Sequence, residues 1–302
     1  MKHLLLIIFI MASWVTKAQQ EERPSLYMAN PYLYNSASSG YTNGLNVAIQ
    51  YTNQWMGIAG SPSEISATVH KLLRETNYSM GGIVLCEKIG ISKLLEVEMS
   101  GTYRFLVSDW TWLSLNVGGG ARCIGKDFSL LRQDEDPYFE RQKETEVVVR
   151  FRMGAWLRFE GEDFLAFSVR GVGNGHLRAF GHKQATHFYL SGGKRFRTSA
   201  NRHLALNGMF YVAKYSPFGA VISPSLQLRK KWELGLSYQT GRMVSPWARL
   251  NHKENLFLTC MYTFPMSRLC QAGNASTFSL TIGFRCVSSE KEKERIYRNA
   301  PL

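Results

Sequence analysis

An alternation of apolar and polar residues runs through most of this chain from Leu45 onward, and it constrains the fold more than any other feature. The clearest case covers residues 94–105, where mostly apolar side chains at odd positions oppose Glu96, Glu98 and Arg104 at even positions. Comparable runs occur at 147–158 and 278–285. A period of two is the mark of a β-strand with two different faces. The sequence therefore predicts an all-β chain.

Marking every run of this kind predicts 14 antiparallel strands, an even number that suits a closed bacterial membrane barrel. Many are near the 9–11 residues that a strand needs to cross a bilayer. A soluble β-sandwich also alternates, but a single sandwich domain seldom uses this many strands. We therefore expect a transmembrane outer-membrane β-barrel. The predicted strands are 44–54, 63–72, 80–89, 93–106, 110–124, 146–158, 163–171, 185–196, 203–215, 219–230, 231–240, 246–252, 254–264 and 277–286.

The connections between these strands alternate in length. The predicted connections at 108–109 and at Lys253 are short, whereas those at 125–145, 172–184 and 265–276 are long. Short periplasmic turns and long outer loops are typical of outer-membrane barrels. Tryptophans near the strand ends predict aromatic girdles at the two membrane interfaces; they are Trp55, Trp110, Trp112, Trp156, Trp232 and Trp247.

The two ends of the chain lie outside the alternating region. Residues 1–18 combine a basic start, a short apolar run and a small-residue exit, which predicts a signal peptide cleaved near Ala18-Gln19. Residues 19–43 are expected to form a periplasmic or lumenal segment, 44–286 the barrel and 287–302 a charged tail. The predicted location is the outer membrane.

The chain carries a formal net charge of +13, with its basic residues scattered. No nucleic-acid-binding motif accompanies them, so a nucleic-acid partner is not expected. Either a generally basic surface or a basic lumen or mouth explains the charge. The five cysteines are irregularly spaced, which argues against a disulfide framework but leaves a single pair open.

No pattern of catalytic, cofactor-binding or metal-binding residues emerges. His187 and Ser191 share one face of a predicted strand, but no GxSxG elbow accompanies them. The carboxylates of residues 134–136 match no calcium-binding loop, and His182 lacks a plausible ligand set. We therefore predict no enzyme, no cofactor and no metal.

Two short motifs before and after the first strand resemble those of a known family. The first motif is ANPYLYNSASSG, and its matching residues are Asn30, Pro31, Leu33, Asn35, Ala37 and Gly40. The second is QWMGIAGSP, in which Gln54, Trp55, Gly57, Gly60 and Pro62 match. Together they resemble the PorP/SprF family of outer-membrane proteins in the type IX secretion system of Bacteroidetes. Ser36 and Ser38 stand where that family favours proline and tyrosine.

The resemblance implies a non-enzymatic accessory protein without a cofactor. Its expected partners are a secreted cargo protein with a C-terminal sorting domain, other type IX secretion components and outer-membrane lipid; some family members serve gliding adhesins. The resemblance implies that the matching residues contact such a partner, although turn formation and membrane anchoring explain the same residues. The alternative function is an outer-membrane channel that passes small solutes through a basic lumen.

Overall fold

The computed structural model confirms an all-β closed barrel of 14 antiparallel strands. It describes residues 24, 26–40, 44–73, 76–128, 143–159, 163–173, 176–177, 182–183, 185–199, 202–213, 216–229, 231–241, 243–252, 255–266 and 276–286. The predicted signal peptide, residues 1–18, and the predicted tail, residues 287–302, lie outside the described residues. Among the residues that are described, no helix is both long and apolar enough to cross a membrane.

A short helix, α1 (Pro31–Tyr34), and a 3-10 helix (Ser36–Gly40) precede the barrel. Strands β8 (His176–Leu177) and β9 (His182–Lys183) pair only with each other. The barrel strands are β1 (Leu45–Met56), β2 (Ser63–Leu72), β3 (Tyr78–Ile89), β4 (Ser92–Ser108), β5 (Thr111–Asp127), β6 (Lys143–Arg158), β7 (Phe164–Val172), β10 (His187–Ser199), β11 (Arg202–Ala213), β12 (Gly219–Leu228), β13 (Trp232–Gln239), β14 (Met243–His252), β15 (Leu256–Pro265) and β16 (Ser276–Cys286).

The first and last strands close the barrel. Strand β1 pairs with β2 on one side and with β16 on the other, from Leu45 opposite Cys286 to Asn53 opposite Phe278. All other neighbours are consecutive along the chain except β7 and β10, which flank the small β8–β9 sheet. Closure leaves no edge without a partner among the 14 described barrel strands, which a membrane requires of a β structure.

The alternation in sequence becomes an inner and an outer face. Along β4, Glu96, Glu98 and Thr102 are buried in the lumen, whereas Val97 and Met99 are exposed on the outside. The exposed apolar side chains recur on the other strands and form the surface that faces lipid. The lumen wall is polar on most strands.

We call the end of the barrel at which β1 begins the proximal end, and the end at which β1 finishes the distal end. The three longest gaps between consecutive barrel strands separate β5 from β6, β7 from β10 and β15 from β16, and all three lie at the distal end. The proximal connections are short; the gap between β4 and β5, for example, is residues 109–110. The predicted asymmetry of connection lengths is therefore present in the fold.

Candidate functional site

The segment 26–40 lies inside the barrel, and we call it the plug. Its side chains are almost completely buried, with Tyr32 and Leu33 each 1% exposed and Ala37 0% exposed. Asn30 precedes α1, and Pro31 occupies its first turn, where the missing N–H of proline costs nothing. The Asn35 amide then donates to the Pro31 carbonyl at 2.9 Å and ends the helix. A compact turn-and-helix unit thereby fills the middle of the lumen.

Asn35 fixes the plug to the barrel wall. Its Nδ2 donates to the backbone carbonyls of Ala155 on β6 and Phe167 on β7, both at 3.1 Å. Its Oδ1 accepts from the Ala37 amide at 3.0 Å, which sets the start of the 3-10 helix. One side chain therefore joins two strands to the turn of the plug.

Hydroxyl groups attach the plug to the nearby strands β2 and β4. The Tyr32 hydroxyl lies 2.8 Å from Ser100 Oγ on β4, and the Tyr32 ring stacks on His70. The Ser39 hydroxyl donates to Thr102 Oγ1 at 2.8 Å. Thr68 Oγ1 on β2 donates to Asn30 Oδ1 at 3.2 Å. Buried polar groups are costly unless they are hydrogen-bonded, so these bonds select this placement of the plug.

Two arginines of the wall also bind the plug. Arg152 Nη1 donates to Ser36 Oγ at 2.7 Å, and Arg249 Nη2 donates to the Met28 carbonyl at 3.0 Å. Ser36 stands where the resemblance implies a proline, and here its hydroxyl accepts a charged hydrogen bond. Burial raises the pKa of the Tyr27 and Tyr32 hydroxyls, so both stay protonated inside the lumen.

Apolar packing fills the space between the plug and the remaining strands. Leu33 belongs to a buried cluster that joins the plug tyrosines to strands β3, β10, β11 and β12; its wall residues are Ile83, Leu85, Tyr189, Met209, Tyr211 and Val221. Leu26 and Ala29 pack on Trp247 and Met261 of β14 and β15. The plug therefore contacts the wall nearly all the way round.

Two of the tryptophans assigned to membrane girdles lie in the lumen instead. Trp156 is 6% exposed and clusters with Ala37 of the plug, and Trp247 is 5% exposed beside Ala29. The girdle prediction is wrong for these two because the plug offers them an apolar surface inside the barrel. Trp110 and Trp232 are exposed, at 65% and 46%.

A buried ionic network lines the wall of β4–β7. Glu96 accepts from Arg170 at 2.8 Å and from Arg150 at 3.2 Å, and it also pairs with Arg122. Glu98 pairs with Arg152, the residue that donates to Ser36 of the plug. Carboxylates and guanidinium groups are mixed here, so this part of the lumen is not uniformly basic.

The second motif forms a distal loop between β1 and β2. The pairing of β1 with β16 shifts between Asn53 and Met56, which marks a β-bulge, and Trp55 within it has a φ of +52°. Gly57 and Gly60 also have positive φ, which glycine adopts without steric cost. The Gln54 amide closes the loop on the Pro62 carbonyl at 2.9 Å. The Gly60 carbonyl accepts from Gly90, so two distal connections are joined.

The structure thus separates the ten candidate residues into two groups. Asn30, Pro31, Leu33, Asn35 and Gly40 belong to the plug in the lumen. Gln54, Trp55, Gly57, Gly60 and Pro62 lie at the distal end of β1 and in the loop that follows. Sequence reasoning missed the wall residues that hold the plug. The available signal was β3, where Ile83 and Leu85 make the lumen face apolar as well as the outer face.

The structure offers little chemistry beyond binding at these positions. His187 and Ser191 both point into the lumen but lie four residues apart on one strand, or about 13 Å, too far for a hydrogen bond. Within the described part of the chain, no group of three or more His, Cys, Asp or Glu side chains could hold a metal ion. Cys86, Cys123, Cys260 and Cys286 are free thiols, and Cys270 lies outside the described residues.

Comparison with solved structures finds other β-barrels. The CymD monoaromatic hydrocarbon channel aligns with a TM-score of 0.52 at 10% identity, over 86% of this chain and 93% of that one. The outer membrane protein Omp33 of Acinetobacter baumannii aligns with a TM-score of 0.49 at 8% identity, over 82% and 100% of the two chains. At such low identity, the likeness to CymD shows a shared barrel fold alone. No curated protein matches the chain.

A family model described as "Type IX secretion system membrane protein PorP/SprF" matches residues 16–284. The match covers the plug, the distal loop and nearly all of the barrel, so it confirms the resemblance drawn from the two motifs. The chain therefore belongs to the PorP/SprF family, and it is an outer-membrane β-barrel of the type IX secretion system.

Proposed function

We propose that this barrel is a non-enzymatic accessory that supports the export or surface attachment of particular secreted cargo proteins. The cargo would carry a C-terminal sorting domain, and gliding adhesins are one such class. Residues 1–18 would be removed as a signal peptide. The proximal end would face the periplasm and the distal end the cell surface, because outer-membrane barrels have short periplasmic turns and long outer loops.

The observation that carries the proposal is the occupied lumen. Residues 26–40 hydrogen-bond to the wall on β2, β4, β6 and β7 and pack against β10–β12 and β14–β15. A barrel filled in this way is suited to anchor a binding surface in the membrane. The family match supports work alongside other secretion components.

The distal loop is the docking surface that we propose for the cargo. Met56 and Ile58 are 37% and 42% exposed, and both lie at the end that would face the cell exterior. The left-handed backbone of Trp55 is unfavourable for a residue with a side chain, and such strain is concentrated at functional sites. The bond between Gly60 and Gly90 holds the loop in place before a partner arrives.

Affinity capture of the detergent-solubilised, tagged protein from its native envelope tests the proposal. We expect a secreted protein with a C-terminal sorting domain in the eluate, and its loss from a variant carrying Met56→Ser and Ile58→Ser. Phe218→Ser with Met266→Ser is the matched control, because these apolar residues are also exposed at the distal end. Capture of no such cargo by the unaltered protein would contradict the proposed role.

The alternative function is a channel for small solutes through a basic lumen. Two features count against it: the plug occupies the middle of the lumen, and Glu96 and Glu98 pair with the arginines of the wall. Conductance in a planar bilayer distinguishes the two functions, since an anchor with a filled lumen should be electrically silent.

A further inference from the structure

A band of basic side chains lies at the proximal end on one side of the barrel. Lys194 is on β10, Arg202 begins β11, and Arg229 and Lys231 lie in the turn between β12 and β13. These four residues are the basic arc. Strands β10 to β13 are consecutive neighbours in the barrel, and all four side chains are exposed. Arg202 pairs with Ser199 and Leu228 at the proximal end, whereas Lys194 pairs with Leu206 farther along β11, so the arc extends from the proximal end toward the middle of β10.

The arc borders the part of the barrel that faces lipid. Lys194 and Phe196 lie on the same outer face of β10, and Lys194 Nζ is 5.7 Å from the centre of the Phe196 ring. Arg202 and Leu204 share the outer face of β11, and Trp232 is exposed beside Lys231. Cationic side chains next to an exposed aromatic and aliphatic band are typical of a membrane interface, where the charged ends reach the lipid headgroups.

Arg229 adopts an unfavourable backbone conformation to occupy its place. Its φ of +49° is the left-handed conformation that glycine or asparagine tolerates more easily. The turn around it is fixed, because the Lys231 amide donates to the Leu228 carbonyl at 3.1 Å and the Lys231 carbonyl accepts from Asn251 at 2.7 Å. An arginine kept at a strained position points to a role for its side chain.

Ion pairs among the described residues neutralise little of this charge. Within the described part of the chain, the arc forms one ion pair, between Lys194 Nζ and Asp163 Oδ2 at 4.0 Å. The side chains are 64% and 27% exposed, so solvent screens the pair. Of the four basic side chains, only that of Lys194 is paired with a carboxylate of the described residues.

We propose that the basic arc binds the phosphate of anionic phospholipids, the phosphatidylglycerol class, in the membrane leaflet at the proximal end. Guanidinium and ammonium groups both bind phosphate, and juxtamembrane basic clusters attract anionic lipids. The inference rests on the proposed function in one respect only: the proposed orientation decides which leaflet this is, and it makes it the periplasmic leaflet. The binding chemistry holds whichever way the barrel is inserted, and it would act on β10–β13, four of the 14 barrel strands.

Native mass spectrometry of the full-length protein in detergent tests the inference with phosphatidylglycerol and phosphatidylcholine as probes. We expect preferential retention of phosphatidylglycerol, and a loss of its affinity on the order of tenfold in Arg229→Gln with Lys231→Gln. Lys88→Gln with Lys93→Gln is the matched control; these exposed lysines pair across β3 and β4 at the distal end. The control variant should retain the lipid as the unaltered protein does.

Four outcomes would overturn the inference. Equal retention of the two lipids by the unaltered protein is one, and equal loss in the arc and control variants is another. The third is an arc that binds polyglutamate but shows no lipid preference, which would indicate an acidic protein partner. Inorganic phosphate should not displace the lipid; displacement at equal concentration would indicate a free-anion site instead. Cargo capture by the arc variant should be unchanged, so a failure of lipid binding is distinguishable from a failure of the proposed function.

Discussion

Replacing Asn35 by alanine should loosen the plug while leaving the barrel folded. The substitution removes the two bonds from Nδ2 to the carbonyls of Ala155 and Phe167, and the bond from the Ala37 amide to Oδ1. A typical hydrogen bond contributes about 1 kcal/mol net, so the three together contribute about 3 kcal/mol. A tenfold change in an equilibrium constant corresponds to about 1.4 kcal/mol. The local opening of the plug should therefore become on the order of 100-fold more frequent.

Hydrogen–deuterium exchange of the peptide that covers residues 31–40 measures this opening, because exchange requires the plug amides to leave their partners. We expect faster exchange in that peptide and unchanged exchange in peptides from the strands. Asn207→Ala is the matched control: Asn207 is a buried asparagine on the lumen face of β11 and makes no hydrogen bond to the described residues of the plug. Unchanged exchange in the Asn35 variant, or equal acceleration in the control, would refute the assignment of Asn35 as the anchor.

Three further substitutions test other parts of the structure. Glu96→Gln leaves Arg150 and Arg170 without their buried carboxylate and should destabilise the barrel by about 3–5 kcal/mol, seen as earlier thermal unfolding in detergent; unchanged unfolding would contradict the network. Gly235→Val places its side chain on the Trp247 ring and should lower the free energy of unfolding by about 1–3 kcal/mol in the same assay. Gly101→Val meets open space and serves as the control. Gly60→Ala, at a φ of +76°, should cost about 1–2 kcal/mol and speed proteolysis of the distal loop; wild-type proteolysis would argue against a strained turn there.

The alternation in sequence was sufficient to predict the barrel because each strand has a lipid face and a lumen face. Strand β2 was predicted and found at 63–72. Strand β6 begins at Lys143, earlier than the predicted residue 146. Its first residues are polar and look like a loop in the sequence, but they pair with β5, and Lys143 lies opposite Asp127. Strand β14 begins at Met243 although Pro246 interrupts the pattern, because Met243 pairs with Pro265 of β15. Pairing extends strands beyond the residues that contact lipid.

The placement of the plug could not be predicted from the sequence with the same certainty. Residues 19–43 were compatible with either the periplasm or the lumen, since the sequence of such a short segment does not show which surface will cover it. The information lies in the wall: Ile83, Leu85 and Trp247 are apolar residues on the inner face, where a water-filled lumen would favour polar ones. These positions weakened the alternation, and each of them belongs to a buried cluster that includes plug residues.

Single-channel recording in planar bilayers tests the central claim, which is that this barrel is closed by its own N-terminal segment and serves as an anchor. The mature full-length protein should insert without measurable conductance, whereas a variant lacking residues 24–40 should conduct. Tyr32→Ala with Asn35→Ala keeps the chain length and should give intermittent openings if the deletion does not assemble. Stable conductance by the full-length protein, equal to that of the deletion variant, would contradict the claim and favour the channel.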